Sequence, residues 1–221
     1  MKILIGTPIH ICKDYCMEEW IENVSKNTYP ANLLVVDNSP NSDYVEKVKE
    51  YCKKYDVKNY KIKYLNLLPN QEYHERIARS REVIRQEIIS GGYDAWFSWE
   101  CDQIIPNNAL DKLTKMMKAG DFMMVNHNNW VRGLPTIVNT DLGVSLVKKE
   151  CLEKYSFLLQ FGTDPDMPHN WRFGEPWLKM QVLRDGGSFI EVQGVINPVY
   201  HLDDNRVETL LTEEAHWNQT E

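Results

Sequence analysis

The chain has 221 residues, enough to bury a substantial core within one domain, and its 43% hydrophobic and 26% charged content is that of an ordinary globular protein. A formal net charge of −7 excludes a nucleic-acid backbone as main partner, because phosphate binding on that scale needs a positive footprint. No apolar run reaches the ~18–20 residues of a membrane span, so none is expected.

"MKILIGTP" reads as a first strand, with an apolar run too short for a signal peptide. The five cysteines are odd in number and lack CxxC spacing, which points to a reducing, cytoplasmic setting without a disulfide framework. His10, Cys12 and Cys16 have metal-ligating chemistry, but Cys16 shares an apolar stripe with Trp20 and Val24 and is read as core. Asn218 heads a glycosylation sequon by pattern, taken as chance in an intracellular chain.

Strand and helix patterns alternate through the first half. Lys2 to Thr7 is a short strand, and Lys13 to Lys26 carries a helical face through Met17, Trp20, Ile21 and Val24. Leu33 to Asp37, "LLVVD", is a continuous apolar run suited to a strand covered on both faces. A capping loop then leads into a helix from Tyr44 to Tyr55. Tyr60 to Leu67 alternates as a third strand, Glu72 to Ile89 is a third helix, and Asp94 to Glu100 is a fourth strand. This βαβαβαβ order predicts an α/β fold with a mostly parallel sheet and helices on both faces.

The second half is less regular. It reads as a helix over Asn108 to Lys118, strands over Phe122 to Val125 and Gly143 to Lys149, and a polar loop from Phe161 to Gly174. A helix from Pro176 to Arg184 and two late strands, "GGSFIEV" and "VINPVYH", follow, with Pro198 placing the last strand at a sheet edge. One domain is expected over residues 1–221, since no linker, internal repeat or low-complexity segment divides the chain.

In a parallel α/β sheet, ligands bind outside the carboxyl ends of the strands. Thr7-Pro8, Asp37 and the pair Glu100/Asp102 all fall at such ends. Two carboxylates with oxygen chemistry suit Mg²⁺ or Mn²⁺, which would neutralise a leaving diphosphate. A strand leaving the core through solvated acids gives the same pattern, so "SWECDQIIP" alone does not define a metal site. On the third helix, Arg81 shares the apolar face of Ile77, Ile84 and Ile88 and therefore demands a partner.

Several segments, in the same order, resemble glycosyltransferases of the GT-A fold, especially the large family-two group. "ILIGTPIH" looks like the family's first strand ending at the nucleotide. "NTYPANLLVVDNSPNSD" resembles its "QTYP" turn, second strand and "VVDDGSTD" loop, and "ARSR" its "ARN" segment. "WECDQIIPNNAL" resembles "LDSDxxxxPxAL", whose outer acids form the DxD metal motif, here as a variant E-x-D. More faintly, "NTDLGVSLVKKECLEKY", "GEPWLKMQVLRDGGSFIEV" and "VYHLDD" follow the family's later strand, helix and histidine.

The resemblance implies transfer of a sugar from a nucleoside-diphosphate sugar, a UDP-sugar foremost, to a glycan or other hydroxyl acceptor. It places Thr7, Pro8 and Asp37 at the nucleotide, and Arg76, Arg79 and Arg81 near phosphate or base. Glu100, Asp102 and His201 would hold Mn²⁺ or Mg²⁺. Glu175, at the N-cap of a helix opened by Pro176, becomes the general base if the reaction inverts, the favoured course, and only orients the acceptor if it retains; the family's Glu-Asp pair is reduced here to Glu-Pro. The resemblance also divides the single domain into a nucleotide-sugar-binding half over about 1–105 and an acceptor half over about 106–221.

Asp164, Asp166 and His169 are reserve candidates in the preceding loop, and Trp130, Trp171 and Trp177 are candidates to stack on sugar faces. The alternatives are a GT-A-like carbohydrate-binding module without turnover and a sugar nucleotidyltransferase. The latter is disfavoured because "GTPIHICKD" is not a Gly-rich phosphate loop, and a dehydrogenase because G-x-G-x-x-G is missing.

Overall fold

The computed structural model describes residues 1–68, 70–127, 142–192 and 194–202, and the backbone of Glu208–Leu210. In chain order the first half gives β1 (Ile3–Ile9), α1 (Asp14–Ser25), β2 (Ala31–Asp37), α2 (Asp43–Lys54), β3 (Tyr60–Tyr64), α3 (Tyr73–Ser90) and β4 (Ala95–Trp99). The second half adds β5 (Gln103–Ile104), α4 (Ala109–Gly120), β6 (Met124–His127), β7 (Val144–Lys148) and α5 (Lys149–Lys154). It closes with α6 (Gly174–Arg184), β8 (Phe189–Val192), β9 (Tyr200–Leu202) and β10 (Glu208–Leu210). Single 3₁₀ turns, Ile11–Lys13 and Trp171–Phe173, lead directly into α1 and α6.

A seven-stranded sheet runs in the order β3-β2-β1-β4-β7-β6-β8. β1, β2, β3 and β4 are mutually parallel, while β7 lies antiparallel between β4 and β6, so the sheet is mainly rather than wholly parallel. Alternate residues of each strand serve opposite faces, as the two-residue pleat requires. Ile3, Ile5, Leu33, Val35, Ala95 and Phe97 join a core with α1, α2 and α4; Leu4, Leu34, Val36 and Trp96 join a second core with α3, α5 and α6. Helices therefore cover both faces.

Two contacts fix how closely the layers approach. Trp96 donates its indole N–H to the Gly6 carbonyl at 2.9 Å. A Cβ on Gly6 would stand 2.5 Å from Ile84 Cγ2 and 2.7 Å from Trp96 Nε1, so only glycine lets α3 seat on β1 here. On α1, Cys16, Met17, Trp20 and Ile21 are fully enclosed, and Cys16 is core while Cys12 is exposed.

A three-stranded sheet, β10-β9-β5, lies apart from the main one. The expectation of an edge position for the last strand is corrected here: β9 is the middle strand. Pro198 precedes Tyr200 and so removes no N–H from the ladder.

Candidate functional site

The carboxyl ends of β1, β2 and β4 lie side by side, which sets Thr7-Pro8, Asp37 and Glu100/Asp102 at one end of the sheet. Asp37 ends β2 opposite Ile9 of β1 and Tyr64 of β3. It is wholly buried; its Oδ1 accepts from Ser39 N at 2.9 Å and Ser39 Oγ at 2.5 Å, while its Oδ2 has no hydrogen-bond partner. Burial pushes this carboxyl up, and the Ser39 hydrogen bonds offset part of that. Thr7 and Pro8 sit in β1 beside Val35 and Val36, and Thr7 is buried.

His10 follows β1, accepting from Cys12 N through Nδ1 at 3.1 Å and meeting Arg76 Nη1 at 3.4 Å through Nε2. Burial and then the Arg76 charge push this histidine below its usual range. Arg76 Nε is buried without a hydrogen-bond partner. The three arginines of α3 thus part company. Arg76 faces the carboxyl end of β1, Arg79 turns back to Glu75 at 2.7 Å along its own helix, and Arg81 goes inward.

Arg81, 5% exposed, pairs with Glu175 of α6 and lies 3.6 Å from Glu100. This is the partner its place on an apolar face demanded. Glu175 also accepts from Leu142 N at 3.1 Å through its other oxygen. It lies in the first turn of α6 rather than at its N-cap, which is Phe173: the 3₁₀ turn capped by Asn170 extends the helical stretch backwards. Beside the Arg81–Glu175 pair is a cavity of about 40 Å³, lined by His74, Ile77, Phe157 and Trp171 among others, with room for a few waters.

Asp102, 6% exposed, lies in the turn after β4. Its Oδ2 accepts from Lys13 Nζ at 2.6 Å and lies 3.4 Å from His201 Nε2, while Oδ1 is buried without a hydrogen-bond partner. Burial pushes the carboxyl up, but the His201 hydrogen bond and the Lys13 charge outweigh it and bring it to about 2. His201 reaches this point because β9 pairs with β5, setting it opposite Gln103. The pairing is anchored by Leu202 N, which donates to the Asp102 carbonyl at 2.8 Å. Glu100 does not join them; it turns to Arg81 and to Gln103 Nε2 at 3.3 Å.

Of the three expected metal ligands, then, Asp102 and His201 converge and Glu100 does not. Among the described residues, no group of three or more His, Cys, Asp and Glu side chains is poised to hold an ion. The chemistry of the donor set still suits a divalent cation. Asp102 keeps a buried, unpartnered oxygen next to an imidazole. With the Arg79–Glu75 pair set aside, the described groups at this end of the sheet oppose four carboxylates (Asp37, Glu100, Asp102, Glu175) to three permanent cations (Lys13, Arg76, Arg81), so a further positive charge is favoured there.

Lys13 escaped sequence reasoning. A lysine at a helix start is ordinarily solvated, and only the sheet order that sets β1 against β4 carries it across to Asp102. The reserve loop acids are tied to α6 instead: Arg184 lies 3.1 Å from Asp164 and 3.9 Å from Asp166. Trp171 stacks edge-on with Phe161, and Trp177 packs under Arg184. Trp130 and Asn218 lie outside the described residues.

Strand order, the antiparallel β7 and the helices on both faces give an α/β fold of the GT-A type. No protein-family model matches the chain, and neither does any curated protein. Solved structures do. The mannosyltransferase PcManGT from Pyrobaculum calidifontis, in complex with GDP-Man and Mn²⁺, is similar with a TM-score of 0.62 at 11% identity, over 88% of this chain and 55% of that one. S. aureus TarS 1–349 with UDP gives a TM-score of 0.56 at 12% identity, over 87% of this chain and 60% of that one. The same protein with UDP-GlcNAc gives 0.53 at 12% identity, over 70% and 47%. At these identities the likeness is one of fold, and the chain spans about half the length of the structures it matches.

Among the described residues no helix is long and apolar enough to cross a membrane.

Proposed function

We propose that this chain is a glycosyltransferase that moves a sugar from a nucleoside-diphosphate sugar, a UDP-sugar foremost, to an acceptor hydroxyl. One observation carries the reading. At the carboxyl end of the parallel strands, Asp37 and Asp102 each present a buried carboxylate oxygen with no partner among the described residues, on a sheet of the GT-A type.

Asp37 Oδ2 accepts a ring N–H of the base, since an unpaired buried acceptor is costly until a donor fills it. Thr7 and Pro8 wall the same end, and Arg76 stands beside it with an unspent N–H. Asp102 and His201 would hold Mn²⁺ or Mg²⁺, which supplies neutralisation of the charge on the departing diphosphate. Glu100 of the E-x-D motif acts at one remove, fixing Arg81 from one side as Glu175 fixes it from the other.

Glu175 serves as base. Its carboxylate takes the acceptor's proton while that oxygen attacks the anomeric carbon and the bond to the diphosphate breaks, in one displacement with inversion. Its contacts with Arg81 and Leu142 N use one lone pair on each of its oxygens, leaving further acceptor capacity.

The test is calorimetry with UDP- and GDP-sugars in Mn²⁺, followed by transfer assays on Glu175→Gln. That variant is expected to bind donor within about threefold of the parent and to lose transfer by roughly 10²–10⁴-fold. Undiminished transfer would remove the base, and a protein that binds no nucleotide would remove the whole reading. A second reading has an observation of its own: both Glu175 oxygens are already engaged and Pro176 follows, as suits a binding module without turnover. Tight nucleotide binding with neither hydrolysis nor transfer would favour it.

A further inference from the structure

The ion pair between Lys13 and Asp102 sits where the donor's diphosphate and its cation would have to enter, and the donor-binding reading gives it no task. Lys13 stands at the end of the 3₁₀ turn that follows β1, while Asp102 belongs to the turn after β4, the neighbouring strand. The lysine side chain is 29% exposed against 9% for the aspartate, so the ammonium can leave by the solvent side while the carboxylate stays fixed. Two of its three N–H bonds go to Asp102 Oδ2 at 2.6 Å and to Tyr15 Oη at 3.1 Å. A third remains for another acceptor.

We propose that Lys13 is a donor-binding residue held in reserve by Asp102. In the free protein its ammonium neutralises the buried carboxylate; when donor binds, it exchanges that carboxylate for an oxygen of the diphosphate and frees Asp102 for the cation. The physical case is a balance of charge. Asp102 is too enclosed to stand alone as an anion, so some cation must sit on it at every stage. A diphosphate brings the negative charge that makes it worthwhile for Lys13 to leave, and the cation replaces Lys13 at the carboxylate. Cation and nucleotide therefore bind together more readily than either does alone, a coupling that is reciprocal by linkage. Lys13 touches the donor and not the acceptor, so it is assigned to binding rather than to proton transfer. The inference rests on the donor reading above and adds to it a residue and an order of events.

The experiment compares the parent protein with Lys13→Met and Lys13→Arg, using Mn²⁺ alone and then UDP in saturating Mn²⁺, with binding followed by calorimetry and by the Mn²⁺ paramagnetic resonance signal. The exchange predicts shifts of opposite sign in Lys13→Met. Mn²⁺ alone should bind about tenfold or more tightly, because no ammonium competes, and UDP with Mn²⁺ about tenfold more weakly, because a charged donor is gone. Lys13→Arg should resemble the parent in both. Circular dichroism and melting of each variant separate these shifts from loss of fold, which cannot raise Mn²⁺ affinity. An unchanged or weakened affinity for Mn²⁺ in Lys13→Met would overturn the exchange, even if UDP and Mn²⁺ bound the parent normally. Absence of Mn²⁺ binding in every variant, with or without UDP, would overturn it together with the metal assignment. Adding Asp102→Asn to Lys13→Met should abolish the gain; its persistence would place the ion elsewhere and also sink the proposal.

Discussion

His127, at the end of β6, shows how a single side chain ties stability to pH. It is buried, and its Nε2 accepts from Ile196 N at 3.2 Å, which places the ring proton on Nδ1. Burial and then the Lys112 charge push its pKa down to about 4. A second proton would turn the acceptor into a donor facing a donor. The unfolded chain, with an ordinary histidine near 6.5, binds that proton more readily. Stability is therefore fully present above about pH 6.5 and is lost as pH falls towards 4, by a few kcal/mol at most. Urea unfolding at pH 7.5 and 4.5 should show a smaller loss in His127→Gln than in the parent; equal losses would mean that other groups carry the acid sensitivity.

Sequence reasoning at this scale worked where burial was forced. Arg81 on an apolar helix face had to find carboxylates, and it found two. It failed in two other ways, overlooking an i,i+4 partner on the same helix and a partner set by a neighbouring strand. Arg79 belongs to its own helix, and Lys13, a routine helix-start lysine by pattern, meets Asp102 across the end of the sheet.

Among the elements, α3 is the one whose placement is most exposed to a small change. It lies against β1 through Gly6 and Ile84, and it carries Arg76 and Arg81 to the site. Gly6→Ala would push a methyl into Ile84 and the Trp96 indole, an overpacking cost of about 1–3 kcal/mol. Because both ends of the clash are side chains, Ile84→Ala should recover part of that loss, and the double variant should be less than additive in chemical denaturation. Strict additivity would show that the two sites do not share the contact.

The strands β1, β2 and β4 were legible because covering both faces demands continuous apolar runs. β5 was not: a strand of two residues has no period to read, and its existence depends on β9, nearly a hundred positions later. The third strand, expected to reach Leu67, ends at Tyr64 opposite Asp37, the last residue of β2, with one further bond from Leu65 N to the Asp37 carbonyl.

At the scale of the molecule, the mostly parallel α/β plan followed from alternation in the first half of the chain. The direction of β7 did not, because an apolar run such as "GVSLVKK" reads the same whichever way it enters the sheet. The two ends of the candidate site differ in the same way. Asp37, Ser39 and Thr7 lie within one βαβ unit, where local pattern and chain connectivity suffice. His201 arrives through a separate small sheet, and nothing in the spacing of the acids announces it.

That arrangement has a consequence for how the protein comes into being. During synthesis the strands that carry Thr7 and Asp37 are made first and Arg76 follows with α3, but the imidazole beside Asp102 is among the last parts of the described chain to be made. A nascent or clipped chain ending at residue 192 would retain every described strand of the main sheet yet lack the histidine. On the donor reading proposed above, affinity for a nucleoside and affinity for its phosphates would then be acquired at different moments, and a fragment of that length should discriminate poorly between uridine and UDP.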